Sequence, residues 1–350
     1  MCQSLALSST VTYNTGQRAF GIFCELHALD PLEPSEKTLC EFGAWLHGTR
    51  RVDGATVNSY ITAVRSGLID AGVIPFDRDV MPRLNRVTKG CARNYALLYK
   101  GEKRLVRLPI TLEILRKMYA SIGNCSAYDE TLLWAAITMA FGAFLRSEEY
   151  TRKRVGKVET TPPLLSSIKF VDGEGVAVEE ALPRLIRKFE DEKSVPAGIE
   201  GLSFFVSKSK TDQMMDGHWV HLSKPQDISV CAVTALLRNL SARSKLGLSL
   251  EPGSWLLMNK DVSPLFYTQM MGGMRDVLKN IGVNPLNYGT HSLRIGAATM
   301  AARNGVPEHI IQKMGRWDSM CYRIYIRMDV KDRIAASSSM YGGDVRANGL

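Results

Sequence analysis

Apolar residues recur at helical spacing through the first hundred positions. Ser9-Thr10 is placed to cap a helix running to about Leu26, with Phe20, Phe23, Cys24 and Leu26 toward one side. Pro34-Ser35 opens a second helix, which carries Leu39, Phe42 and Leu46. A third begins near Ala55 and carries Val57, Ile61, Val64 and Leu68. A fourth runs from about Asp79 to Tyr95. At about 100° per residue, Leu84, Val87, Cys91 and Tyr95 share one arc of it, and Arg83, Arg86, Lys89 and Arg93 share another. One face packs while the other presents cations. Such a face is either simply solvated or laid against DNA phosphates, as a helix entering the major groove would be.

The pattern then lapses. Tyr99 to Arg107 is short, polar and basic, and includes Lys103 and Arg104, two cations able to track a DNA backbone. Residues 1–98 therefore read as a helical domain, 99–107 as a linker and 108–350 as a second, mixed domain. Pro109-Ile110-Thr111 opens a helix from about Leu112 to Ile122, and Tyr128 to Glu149 reads as one long helix. Strand-like stretches follow at Leu164–Val171, Leu202–Ser207 and His218–Leu222. The charged segment Gly175–Glu200 lies between strands and is helix-like, with no role assigned to it. Helical spacing returns at Val230–Leu240, Tyr267–Ile281, His291–Asn304, Pro307–Met314 and Ser319–Arg327. The expected fold class is mainly α with a small antiparallel sheet.

Composition narrows the function. Lys and Arg number 44 against 35 Asp and Glu, a formal charge of +9. That excess suits a polyanion partner, of which nucleic acid is the commonest. The seven cysteines are scattered with no C-x-x-C pair, which disfavours zinc and a disulfide framework and fits a reducing compartment. His218 and His221 are three apart in a strand, so they point to opposite faces and disfavour a shared metal. The apolar run Leu132 to Leu145 is too short to span a bilayer. The N-terminus lacks the features of a signal peptide, so a cytoplasmic or nuclear location is expected, nuclear if the host is eukaryotic.

The candidate chemistry lies in the second domain. Arg146 leaves an apolar helix with Glu149 one turn on, which makes either a structural ion pair or a phosphate clamp braced by a carboxylate. Ser207-Lys208-Ser209-Lys210-Thr211-Asp212-Gln213 follows a strand, and a lysine there could enter a DNA groove and protonate a leaving oxygen. His291 and Arg294 share a helix face, with Thr290 as a possible N-cap. Gly315 stops a short helix and Trp317 follows, its indole N–H in want of a partner. Tyr322 and Tyr325 compete as nucleophile. A phenol needs cations to stabilise the developing phenolate, and two arginines, a lysine and a histidine would supply them.

Arg146 with Glu149, a hairpin lysine, His291-x-x-Arg294, Trp317 and a tyrosine eight residues later, in that order, resemble the tyrosine recombinase (phage integrase-like) family. Ser209–Gln213 and Gly315-Arg316-Trp317 look most like recombinases of eukaryotic mobile elements such as Cryptons. The chain departs from many members in having Trp317 for a second histidine, in the eight-residue spacing and in the Gly175–Glu200 insert. The resemblance implies an all-helical core-binding domain, an α+β catalytic domain, and Lys210 and Tyr325 rather than Lys208 and Tyr322. It implies a 3′-phosphotyrosine intermediate, no metal or cofactor, no small-molecule substrate, and a homotetramer on two duplex DNA sites. A type IB topoisomerase-like enzyme and a catalytically silent domesticated DNA-binding protein are the alternatives.

Overall fold

The computed structural model describes residues 7–98, 106–122, 127–155, 158–207 and 216–327, with 333–334 and 337–338 beyond them. The chain divides into two compact units. The linker stretch 99–105, with Lys103 and Arg104, lies outside the described residues, as do Lys208 and Lys210.

The first unit is built on α1 (Leu7–Leu26), α2 (Glu36–Arg50), α3 (Gly54–Asp70) and α4 (Pro82–Leu98). Ser35 caps α2, its side chain accepting from the Thr38 N–H at 3.1 Å. Asp53 caps α3 in the same way at 2.8 Å. Ser9 and Thr10 are not caps, because α1 begins upstream of them. Pro82 opens α4, three residues later than expected, where a missing N–H costs the helix nothing. Two of that helix's first N–H groups, of Arg83 and Leu84, donate to Glu36 Oε1 at 2.7 and 3.1 Å. Phe20, Phe23, Leu39, Phe42, Leu46, Val57, Ile61, Val64 and Leu84 form the core. On α4, Leu84 and Cys91 are buried, whereas Arg83, Arg86, Lys89 and Arg93 are all exposed.

The second unit surrounds α6 (Tyr128–Gly142), which is apolar on every side and packs on α8 (Ala232–Lys245), α9 (Tyr267–Asn280) and α10 (Thr290–Arg303). Ahead of it, Thr111 caps α5 (Leu112–Ser121). A three-stranded antiparallel sheet runs in the order β1 (Ile168–Val171), β2 (Gly201–Val206) and β3 (His218–Ser223), with Ile168 opposite Phe204 and Leu202 opposite Leu222. Leu202, Phe204 and Val206 alternate along β2 and join the core with Phe170 and Leu222. The stretch Leu165–Ser167, expected as strand, is a 3-10 turn leading into β1. The charged insert holds α7 (Leu182–Glu192), whose Leu185, Ile186 and Phe189 join this core. Glu190 of α7 accepts from Ser241 Oγ on α8 at 2.6 Å. α11 (Glu308–Met314) follows α10.

Two expected helices are corrected. α6 does not reach Glu149: it ends at Gly142, and Phe144 turns the chain out at φ +52°. The Leu145 N–H bonds the Ala140 carbonyl at 2.9 Å and the Phe144 N–H bonds Phe141 at 3.2 Å, the two reverse bonds of a Schellman helix stop. Apolar residues continue through this stop because the turn itself is buried, which hides it from periodicity. Residues Ser319–Arg327 hold a 3-10 helix, Met320–Ile324, and no α-helix.

Gly296 lets α10 sit where it does. A Cβ there would lie 1.9 Å from the Ile110 carbonyl oxygen. The Ile110 N–H meanwhile donates to the Ser292 carbonyl at 3.0 Å, so the strand-like lead into α5 runs along α10.

Candidate active site

Two helix ends and the start of a third helix supply the site. The first end is the Schellman stop of α6 just described. The second is that of α11, where the Trp317 N–H bonds the Gln312 carbonyl at 3.1 Å and the Arg316 N–H bonds Lys313 at 3.0 Å. Such stops favour glycine at the left-handed position. Both of these place another residue there: Phe144 at φ +52° and Arg316 at φ +54°. In α11 the glycine stands one position earlier. A Cβ on Gly315 would fall 1.7 Å from the Trp317 ring, so this position needs an empty face for the indole.

Arg294 joins the two ends. It is fully buried on α10, and its Nη1 donates to the Phe144 carbonyl and its Nη2 to the Gly315 carbonyl. Helix C-termini carry partial negative charge, so a cation is favoured there. The guanidinium also lies over the Trp317 ring, 4.3 Å from its centroid, and 5.8 Å from the centre of the Tyr325 ring. Burial and the neighbouring Arg146 and Arg316 lower its pKa to about 9, against the opposing pull of Glu149 and Tyr325. It remains a cation at neutral pH.

Arg146 starts the 3-10 turn Ser147–Glu149 rather than ending a long helix. Glu149 is buried and accepts from both the Arg146 backbone N–H at 2.9 Å and Arg146 Nη1 at 3.1 Å. The carboxylate bracing expected from the sequence is therefore present. Sequence reasoning missed a third guanidinium on the same carboxylate. Arg316 Nη2 lies 2.7 Å from Glu149 Oε2 and is nearly as buried. The available signal is the arginine between the helix-stop glycine and Trp317, in the triplet that carries the family resemblance.

His291 lies one turn before Arg294 on α10. Thr290 is not its cap: it is the first residue of the helix, and the Gly289 N–H donates to Ser292 Oγ at 3.1 Å. The residue is exposed overall, and partial burial of its ring, then Arg294 and Arg146, depress its pKa to about 4, so it is neutral at pH 7.

The structure separates the two tyrosines. The Tyr322 ring is buried, and its hydroxyl donates to Glu308 Oε2 at 2.6 Å. The Tyr325 ring instead stands edge-on to His291 at 5.0 Å between centroids and 5.0 Å from Trp317. Thr299 Oγ1 on α10 donates to the Tyr325 carbonyl at 3.1 Å and accepts from the Arg327 N–H at 3.1 Å, which pins the backbone. Trp317 Nε1 and Arg294 Nε are buried and have no hydrogen-bond partner among the described residues. Arg146, Glu149, His291, Arg294, Trp317 and Tyr325 are thus one cluster, drawn together from positions almost 180 residues apart. Lys210 lies outside the described residues. Among the described residues no group of His, Cys, Asp or Glu is arranged to hold a metal ion.

No known family model and no curated protein matches the sequence. Solved structures do match in fold. The XerH site-specific recombinase bound to palindromic difH substrate, in a post-cleavage complex, superposes with a TM-score of 0.54 at 16% identity, over 88% of this chain and 73% of that one. The Tn1549 transposon integrase in complex with transposon right end DNA gives 0.53 at 11% identity, over 89% and 86%. The chain has the tyrosine recombinase fold. In this fold the ends of α6 and α11 and the start of α10 carry the cluster.

The electrostatics give a direct test. His291 should titrate near pH 4 in an NMR experiment on the full chain, far below its ordinary value of 6.5. A histidine pKa lowered by folding favours the native state above about 6.5 and weakens it as pH falls toward 4. Arg146→Gln, which removes a nearby positive charge, should raise the midpoint. A midpoint of 6.5 or higher in the unaltered chain would show that the imidazole is not in this cationic pocket.

Proposed function

We propose that the chain is a site-specific DNA recombinase or integrase that cuts and rejoins DNA through a 3′-phosphotyrosine intermediate. The observation that supports this best is the Tyr325 ring, packed on His291 and Trp317 and beside the Arg294 guanidinium. In the proposed step the Tyr325 oxygen attacks the scissile phosphorus and a P–O bond to the phenol forms. The bond from phosphorus to the sugar 5′ oxygen breaks. Neutral His291 takes the phenol proton; its depressed pKa keeps it unprotonated, and a phosphate anion that offsets Arg294 and Arg146 would restore its basicity. Lys210, by resemblance, gives a proton to the departing 5′ oxygen. Arg146 and Arg294 bind the non-bridging oxygens, where fixed cations oppose the charge that grows in the transition state. The Trp317 N–H, buried without an acceptor among the described residues, gains one if the phosphate enters and the Tyr325 ring shifts. The phosphotyrosine linkage keeps the bond energy, so a 5′-hydroxyl from another strand reverses the step.

The partner on this reading is duplex DNA, held by a homotetramer on two sites. The exposed α4 row Arg83, Arg86, Lys89 and Arg93 contacts backbone phosphates. The linker cations Lys103 and Arg104 belong to the same expected interface. A mobile element, Crypton-like in its motifs, is the proposed source, with the enzyme acting in the nucleus if the host is eukaryotic. No helix among the described residues is long and apolar enough to cross a membrane.

The test uses a duplex site selected from random DNA by the full chain and then nicked to trap the covalent product. Tyr325→Phe should abolish the adduct while leaving DNA affinity within a few-fold, and mass spectrometry should map the wild-type adduct to Tyr325. An adduct at Tyr322, or loss of binding with loss of the phenol, contradicts the assignment. Neutralising Arg83 and Arg86 together should weaken binding and reduce the slope of log K against log salt by about 2. An unchanged slope removes α4 from the interface.

A further inference from the structure

We infer that Arg316 is a positioning residue, which sets the Arg146 guanidinium through the carboxylate they share and locks the ends of α6 and α11 together. This deepens the function proposed above and rests on that reading for its chemistry, though not for its geometry.

The first reason is conformational. Left-handed backbone is unfavourable for a residue with a Cβ, and the helix stop of α11 would form most readily with glycine at this position. An arginine is held there at φ +54°. A strained position is maintained only when its surroundings require that residue, and the surroundings here are polar. Arg316 Nη1 donates to the Ala143 carbonyl at 3.1 Å, and Nη2 reaches the Phe144 carbonyl at 3.4 Å and Glu149 Oε2 at 2.7 Å. One side chain thus leaves the end of α11, crosses to the end of α6, and finishes on the carboxylate beside Arg146.

The second reason is how the acceptors are shared. The Phe144 carbonyl receives both Arg294 and Arg316. Glu149 receives both Arg146 and Arg316, one on each oxygen. Arg146, Arg294 and Arg316 against Glu149 leave two uncompensated positive charges. Removing Arg316 would leave Glu149 to Arg146 alone. That guanidinium would then turn fully toward the carboxylate and away from the pocket it is to offer an anion. Arg316 touches no reacting atom in this scheme; it acts by dividing the carboxylate.

Inorganic orthovanadate presents oxygens arranged as in a phosphoryl centre and can be titrated calorimetrically into the full chain without any DNA. Arg316→Met should weaken vanadate binding about tenfold or more, as expected when a charge-assisted contact is misaligned. Arg316→Lys, which keeps the charge but loses the fork, should recover little of it. The positioning role is read from a double-mutant cycle. In an Arg146→Gln background the further loss on Arg316→Met should nearly vanish, because the residue acts through Arg146. Circular dichroism shows which variants fold, and if Arg316→Met does not, the same cycle is run with Arg316→Lys. Additive losses, equal binding by wild type and variants, or no vanadate binding by the wild type would each overturn the inference. Vanadate binding with the expected cycle but no DNA adduct would leave this inference standing and remove the function proposed above.

Discussion

Arg294 accepts a role that few side chains can fill, since its two terminal nitrogens donate to carbonyls from two different helix ends. Those carbonyls, of Phe144 and Gly315, belong to turns that leave helix acceptors without intrahelical partners. A buried acceptor without a donor costs about 1–3 kcal/mol, and one planar fork satisfies both. The rest of the site follows from that bridge. It fixes the α6 end, and so Arg146 and Glu149. It fixes the α11 end, and so Arg316 and Trp317. It also presents a face over which the Trp317 ring lies and beside which Tyr325 rests.

Such a bridge brings charges together that would otherwise separate. Three guanidiniums and one carboxylate form a largely buried cluster. The lowered pKa values of Arg294 and His291 come first from burial and then from neighbouring arginines, a local shortage of negative charge. An entering anion would relieve that shortage, and a phosphoryl group gaining charge in a transition state would relieve it more. Uncompensated cations of this kind are a poor device for stability, since a buried charge that loses its partner costs about 3–5 kcal/mol. Their presence makes better sense as preorganisation for an anionic ligand than as structural support.

Much of this was legible in the sequence, and the exceptions have common physical causes. Amphipathic spacing placed α2, α3 and α4 within a few residues, because each buries one face and Ser35 starts α2 with a side chain that declares it. The pairing of Arg146 with Glu149 was legible from a separation of one turn, even though the turn is 3-10. The end of α6 was not, since a helix stop buried on all sides has no polar residue to mark it and carries phenylalanine where glycine is usual. Arg316 escaped notice for the complementary reason: its partner lies 167 positions away, and no local period links them. Spacing left Tyr322 and Tyr325 open, because both follow Trp317 closely; the resemblance pointed to Tyr325, and the packing ties the Tyr322 hydroxyl to Glu308.

The most direct measurement is a structure of the chain with a duplex site and orthovanadate captured between the two strand ends. The vanadium should be bonded to the Tyr325 oxygen, with Arg146 and Arg294 each hydrogen-bonded to a non-bridging oxygen and Arg316 still on Glu149. A vanadate held elsewhere, or one bonded with Tyr325 outside the pocket and the two guanidiniums apart, would contradict the central claim that one bridged pair of helix ends builds a phosphoryl-transfer site.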